Sequence, residues 1–145
     1  VRYLAGLYGR GSLAPATAQD FAEADAWMDW MLTTLYPDVI DTLFYQFVRV
    51  TAADRSMAAV EAATKRTGEK LAILDAQLAG KQYVLGNDLT IADIALGSIM
   101  YRYHTMPIER VSRPNVDAWY QRLVARPAYK DHVMIDWQAM KIPGA

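Results

Sequence analysis

The feature that most constrains this chain is a helix whose start must be buried. Residues 91–103 are apolar on almost every side, which is typical of the central helix of a bundle. Thr90 and Asp93 have the spacing of a capping box, in which each side chain accepts a hydrogen bond from the backbone amide of the other. Leu89 and Ile94 would add a hydrophobic staple. Because buried amides without partners are costly, we predict a structural role for Asp93 rather than that of a catalytic base.

The rest of the chain has helical periodicity as well. Apolar residues recur at intervals of three and four, and no strand-like alternation persists, so the sequence predicts an all-α helical bundle. The expected helices cover residues 1–8, 17–48, 57–79, 91–103 and 115–125, followed by a short turn at 127–133 and a loosely patterned tail. Pro37 should kink the second helix, because its ring removes a donor and clashes with the preceding turn.

The composition argues against several classes of site. Fifteen basic and sixteen acidic residues nearly balance, whereas nucleic-acid binding needs a clustered positive excess. There is no cysteine for thiolate chemistry or metal binding, and the two histidines form no metal motif. The most apolar stretch, 89–101, is far shorter than the roughly 20 residues of a membrane span. We therefore expect a cytoplasmic protein with no metal, no nucleic-acid partner and no membrane segment.

Four landmarks occur in a recognisable order along the chain. They are residues 1–9, the capping motif at 89–95 with the preceding 83–86, residues 114–120, and the turn at 126–129. Together they resemble the C-terminal helical domain of a bacterial-type glutathione transferase. The resemblance implies that residues 1–9 end the last helix of a thioredoxin-like domain, that 10–16 are a linker, and that 17–145 form the all-helical C-terminal domain.

The resemblance implies a chemistry that is divided between two domains. In this family the thioredoxin-like domain binds glutathione and supplies the serine, tyrosine or cysteine that stabilises its thiolate. We expect that domain to precede residue 1, so we assign no catalytic residue to this chain and expect it to be inactive alone. The full protein would conjugate or reduce hydrophobic electrophiles with glutathione as co-substrate and without a metal.

The helical domain of this family supplies a wall of the electrophile pocket. By position, Met31, Thr34, Leu35 and Asp38 match this wall, and Tyr101 is a further candidate. Pockets for such substrates are mostly apolar with a few polar groups, which suits this set. The alternative is that Met31 and Leu35 are ordinary core residues.

The resemblance also implies a homodimer. Several transferase classes place an acidic residue on this helix that reaches the ammonium of the glutathione bound by the partner subunit, and Asp29 approximately matches that position. The alternative for Asp29 is a solvated side chain without this role. Trp27 and Trp30 widen the apolar face of the same helix, enough for both a core and a partner. A non-catalytic transferase-like module for protein assembly is the alternative function.

Overall fold

The computed structural model describes residues 1–145 as a bundle of helices without a sheet. In chain order the elements are α1 (Arg2–Tyr8), α2 (Ala18–Trp30), two π-helical segments (Met31–Leu35 and Pro37–Phe44), α3 (Tyr45–Val48), α4 (Met57–Leu78), α5 (Ile91–Thr105), α6 (Pro114–Val124), α7 (Pro127–His132) and a 3-10 turn (Gln138–Met140). The only β pairings are two isolated bridges. The all-α prediction is confirmed, and the expected helix ends agree with the observed ones within two residues. No helix combines the length and the apolar character needed to cross a membrane.

Residues 18–48 form one continuous run of helix that widens on both sides of Pro37. Proline cannot donate a backbone hydrogen bond, and its ring clashes with the carbonyl of the preceding turn. The amide of Tyr36 bonds instead to the carbonyl of Met31, five residues earlier. The hydroxyl of Thr42 donates to the carbonyl of Pro37 at 3.0 Å. The disturbance expected at Pro37 is thus a pair of π-helical segments, which keep the neighbouring backbone groups bonded.

Helix α5 lies in the middle of the bundle, as the sequence predicted. It packs against α2, the Pro37–Phe44 segment and α6, and nine of its residues are buried. Gly97 lies where α5 approaches its neighbours most closely: a side chain there would stand 2.8 Å from Leu123 and 3.2 Å from Tyr129. The hydroxyl of Tyr129 donates to the Gly97 carbonyl at 2.7 Å, which ties α7 to the central helix.

The C-terminal tail, which the sequence left loosely patterned, packs against the end of the long helix. Trp137 is buried, and its ring meets that of Phe44 edge to face at 5.6 Å. Its indole N–H donates to the hydroxyl of Thr105 at 2.8 Å. The amide of Ile142 donates to the carbonyl of Val48 at 3.0 Å. The tail therefore joins the C-terminal ends of α3 and α5.

Helix α1 and the segment after it contact the start of α5. Ala5 is buried, and the amide of Ile91 donates to the carbonyl of Leu13 at 2.9 Å. The segment 10–16 is not extended, because the amide of Ala14 turns back to the carbonyl of Gly9 at 2.8 Å. The remaining apolar side chains of α1 are more than half exposed: Tyr3, Leu4, Leu7 and Tyr8. These four residues are called the α1 apolar face below.

Candidate functional site

Asp93 is the best-bonded carboxylate of the chain. Its Oδ2 accepts the Thr90 amide at 2.8 Å and the Thr90 hydroxyl at 3.1 Å, and the two residues form the capping box. Its Oδ1 accepts the Val84 amide and the indole N–H of Trp119, both at 2.9 Å. Burial raises the pKa of Asp93, and these hydrogen bonds oppose that rise. Both oxygens are occupied and the side chain is fully buried, so the carboxylate has no free oxygen for a substrate.

Four of the expected pocket residues lie on the widened part of the long helix. Met31 and Thr34 are partly exposed, whereas Leu35 and Asp38 are buried. Tyr101 lies on α5 and is half-buried, and α5 packs against the Pro37–Phe44 segment. Met31 and Thr34 are therefore the members of this set with surface to offer a ligand from this helix.

The buried Asp38 forms ion pairs with two partly exposed cations of α4. Both Nε and one terminal nitrogen of Arg66 donate to Oδ1 of Asp38, at 2.9 and 2.7 Å, and Lys70 Nζ donates to Oδ2 at 2.5 Å. Burial pushes the pKa of Asp38 up, but the hydrogen bonds from Arg66 and Lys70 outweigh it, and the pKa lies below its usual value. Asp38 is therefore an ionised carboxylate that joins the widened helix to α4.

Lys70 also holds the backbone of the widened helix. Its Nζ donates to the carbonyl of Thr34 at 2.8 Å while it binds Asp38. Sequence reasoning missed Arg66 and Lys70. Their spacing was a usable signal. Two cations four residues apart on one helix repel each other, so such a pair indicates an acidic partner on a neighbouring element.

Asp29 forms an ion pair within the chain. It is exposed on α2, and the guanidinium of Arg2 on α1 binds both Asp25 and Asp29. The two acids raise the pKa of Arg2. The Arg2 guanidinium thus joins α1 to α2 through Asp25 and Asp29. The sequence did not identify Arg2 as its partner, because the pair joins residues 27 positions apart.

No three histidine or acidic side chains are grouped as they would be to hold a metal ion. The polar groups around the widened helix are instead arranged as ion pairs and backbone hydrogen bonds. These bonds join the widened helix to α4 through Asp38 and the Thr34 carbonyl.

The chain resembles known proteins of one family in sequence. Residues 24–127 match the family described as glutathione S-transferase, C-terminal domain. Over 135 residues the chain is 36% identical to glutathione S-transferase GstB of Escherichia coli, and it is 28% identical to glutathione S-transferase 3 of Zea mays over 138 residues. These alignments cover 93% and 91% of this chain.

The fold agrees with solved structures of the same family. The theta class glutathione S-transferase of Xanthomonas axonopodis pv. citri with glutathione bound is 42% identical, with a TM-score of 0.87 over 93% of this chain. The match covers 69% of that structure, and the chain spans 64% and 62% of the Escherichia coli and Zea mays relatives. The matched segment, residues 24–127, includes the central helix and its cap. The chain belongs to the glutathione S-transferase C-terminal domain family.

Proposed function

We propose that this chain is the helical, substrate-binding half of a glutathione transferase that joins glutathione to hydrophobic electrophiles or reduces them. The observation that carries the proposal is the 42% identity, at a TM-score of 0.87, to a bacterial transferase that binds glutathione. Glutathione is the co-substrate, and its thiolate is activated by a residue outside these 145.

The exposed apolar side chains of the first helix support a docked domain. Leu4 and Tyr8 are 59% and 83% exposed, and they flank a cavity of about 350 Å³ that Ile91 and Ile94 also line. A contiguous apolar patch of this kind usually marks an interface. A glutathione-binding domain that covers it would lie against the start of the central helix.

The electrophile would contact the widened helix at Met31 and Thr34, which are partly exposed. Met31 supplies a flexible apolar surface and Thr34 a polar group, which is the mixture that small-molecule sites use. Leu35 and Asp38 are buried behind them and would determine the shape of the wall. Tyr101, on the neighbouring helix, would supply an aromatic edge.

Asp29 would bind the glutathione of a partner subunit. The carboxylate is 61% exposed in this chain, and its only ion-pair partner is Arg2. A glutathione ammonium would compete with the guanidinium for the same oxygens. Trp27 and Trp30, which stack edge to face at 5.2 Å on the same helix, would form part of a two-fold dimer contact.

The test is a kinetic comparison of the protein that carries its glutathione-binding domain with the 145-residue chain. We expect the longer protein to conjugate 1-chloro-2,4-dinitrobenzene with glutathione and the chain alone to show no turnover. In the longer protein, Met31→Ala should raise the KM for the electrophile at least about fivefold without changing the KM for glutathione. Leu32→Ala, the exposed neighbour, is the matched control and should change neither constant.

A separate variant tests the subunit contact. Asp29→Asn should raise the KM for glutathione about fivefold and leave the KM for the electrophile unchanged. Light scattering at micromolar concentration should give the mass of a dimer for the longer protein. A monomer would contradict both the dimer and the cross-subunit role of Asp29, and turnover by the chain alone would contradict the division of labour between the domains.

A further inference from the structure

The π-helical part of the long helix receives a hydrogen bond from a side chain of another helix. A π-helix is a rare form, and it is frequent at functional sites. Residues 31–44 have this form in two segments separated by Tyr36. Within the run, the Thr42 hydroxyl bonds to the carbonyl of Pro37. The bond from outside comes from Lys70 of α4, whose Nζ lies 2.8 Å from the Thr34 carbonyl oxygen.

The ammonium of Lys70 is held in place by an acid. Its Nζ also donates to Oδ2 of Asp38, a side chain that is only 6% exposed. A lysine side chain is flexible and loses conformational freedom when it is fixed. Because the buried carboxylate already fixes the ammonium, the bond to the Thr34 carbonyl requires little further ordering. Lys70 is itself only 28% exposed, so water competes less for these bonds than it does at a fully exposed pair.

The Thr34 carbonyl lies where the packing between the two helices is sparse. Helix α4 packs mainly against Pro37–Phe44 and much less against Met31–Leu35. A segment with many buried contacts is held by all of them, whereas a segment with few contacts opens more easily and depends more on each bond. The bond from Lys70 therefore extends the contact of α4 from the well-packed region to the turn that carries Met31 and Thr34.

Arg66, one turn earlier on α4, binds the same carboxylate without reaching this backbone. Its guanidinium donates from two nitrogens to Oδ1 of Asp38. Arg66 and Lys70 therefore share the task of joining the two helices through Asp38. The bond to the Thr34 carbonyl belongs to Lys70, so the two cations differ in one contact.

Met31 and Thr34 are the partly exposed members of the proposed electrophile wall, and they lie one turn apart on the helix. A binding residue is effective only if its position is fixed to within about 0.5 Å of the productive geometry. The backbone of Thr34 is bonded to an ammonium that a buried acid holds in turn. Helix α4 thus supplies the support that such a wall requires.

We infer that Lys70 is a positioning residue of the proposed electrophile wall. It contacts neither the electrophile nor glutathione, and it acts through the backbone of Thr34, which keeps Met31 and Thr34 in one geometry. Arg66, in contrast, only joins the two helices. The inference rests on the proposed function, because it concerns how that wall binds the electrophile.

The test compares Lys70→Met with Arg66→Met in the protein that carries its glutathione-binding domain. Both variants remove a cation from Asp38, so both should lower the urea midpoint. Lys70→Met should also raise the KM for 1-chloro-2,4-dinitrobenzene at least about threefold, with kcat and the KM for glutathione within about twofold of the parent. Arg66→Met should leave all three constants within about twofold of the parent. Equal KM changes in the two variants, or none in Lys70→Met, would overturn the inference.

A measurement on the 145-residue chain tests the contact without an assay of activity. The carbonyl ¹³C NMR signal of Thr34 responds to the hydrogen bond that the carbonyl accepts. It should therefore move in Lys70→Met and hold its position in Arg66→Met. Lys65→Met, at an exposed lysine of the same helix, is the control for the loss of charge and should leave the signal in place. An unmoved Thr34 signal in Lys70→Met would contradict the positioning role.

Met31→Ala in the longer protein separates a failure of this inference from a failure of the proposed function. If Met31→Ala raises the KM for the electrophile and Lys70→Met does not, the wall is supported and Lys70 is not its positioning residue. If neither variant changes that KM, the proposed wall is itself wrong, and the inference is wrong with it.

Discussion

The indole N–H of Trp119 donates to Oδ1 of Asp93 at 2.9 Å, so that α6 is bonded to the capping residue of α5. The same carboxylate also accepts the Val84 amide, which fixes the loop that precedes the central helix. Asp93 therefore caps α5 and also joins it to α6 and to the loop that contains Val84. Removing it leaves several buried donors without an acceptor, and the cost exceeds that of a cap alone.

Asp93→Ala should lower the free energy of unfolding by about 2–4 kcal/mol, because buried donors on Val84, Thr90 and Trp119 lose their acceptor. Trp119→Phe removes a single donor and leaves the other bonds of Asp93, so its loss should be about 1–2 kcal/mol. Urea unfolding followed by circular dichroism measures both. Equal midpoints for Asp93→Ala and the parent would rule out the structural role.

Asp38→Asn should destabilise the chain by about 1–3 kcal/mol at pH 7, because Arg66 and Lys70 lose the charge that they share. The figure lies below that of a fully buried pair since the Arg66 side chain is 49% exposed. The pKa of Asp38 is lowered in the folded chain, so its stabilisation is present above about pH 4 and should fade in stronger acid. Asp41→Asn, at an exposed acid on the same segment, is the control and should stay within about 0.5 kcal/mol of the parent.

Acidification from pH 7 to pH 5 should reduce the stability of the chain through His104. Burial lowers the pKa of this histidine below its usual 6.5 and Arg110 lowers it further, while the hydrogen bond with the Met100 carbonyl and the charge of Asp117 act in the opposite direction. Between the two pKa values the unfolded chain binds more protons, so lower pH favours unfolding. His104→Phe, which keeps a ring against Tyr120, should flatten the dependence of the urea midpoint on pH over this range. His132→Phe, at an exposed histidine, is the control and should leave the dependence of the urea midpoint on pH as it is in the parent.

Two glycines in helix interiors should respond to alanine with opposite signs. Gly97→Ala places a methyl group 2.8 Å from Leu123 and 3.2 Å from Tyr129, and we expect a loss of about 1–2 kcal/mol. Gly68→Ala meets no atom closer than 3.9 Å, so the higher helix propensity of alanine should raise stability by about 0.5–1 kcal/mol. Thermal unfolding of the two variants distinguishes these outcomes. Stabilisation by Gly97→Ala would show that Leu123 of α6 and Tyr129 of α7 can move away from α5 at little cost.

Residues close together in the chain made the fold predictable. The three-residue spacing of Thr90 and Asp93 predicted where the central helix begins, and its all-round apolar character predicted where it lies. Pro37 indicated a disturbance in the long helix but not its form. The contact of Lys70 with the Thr34 carbonyl in the first π-helical segment could not be predicted either, because it joins residues 36 positions apart.

The partners of the charged and polar side chains were decided by the tertiary structure alone. Nothing local links Asp38 to Arg66, 28 residues away, or Arg2 to Asp29, 27 residues away. Hydrophobic periodicity shows which face of a helix is buried but not which residue of another helix it meets. That pairing follows from the way the helices dock. The sequence by itself therefore determined the helices, the cap and the family resemblance. The docking of α4 against the Pro37–Phe44 segment and the approach of α1 to α2 determined the ion pairs.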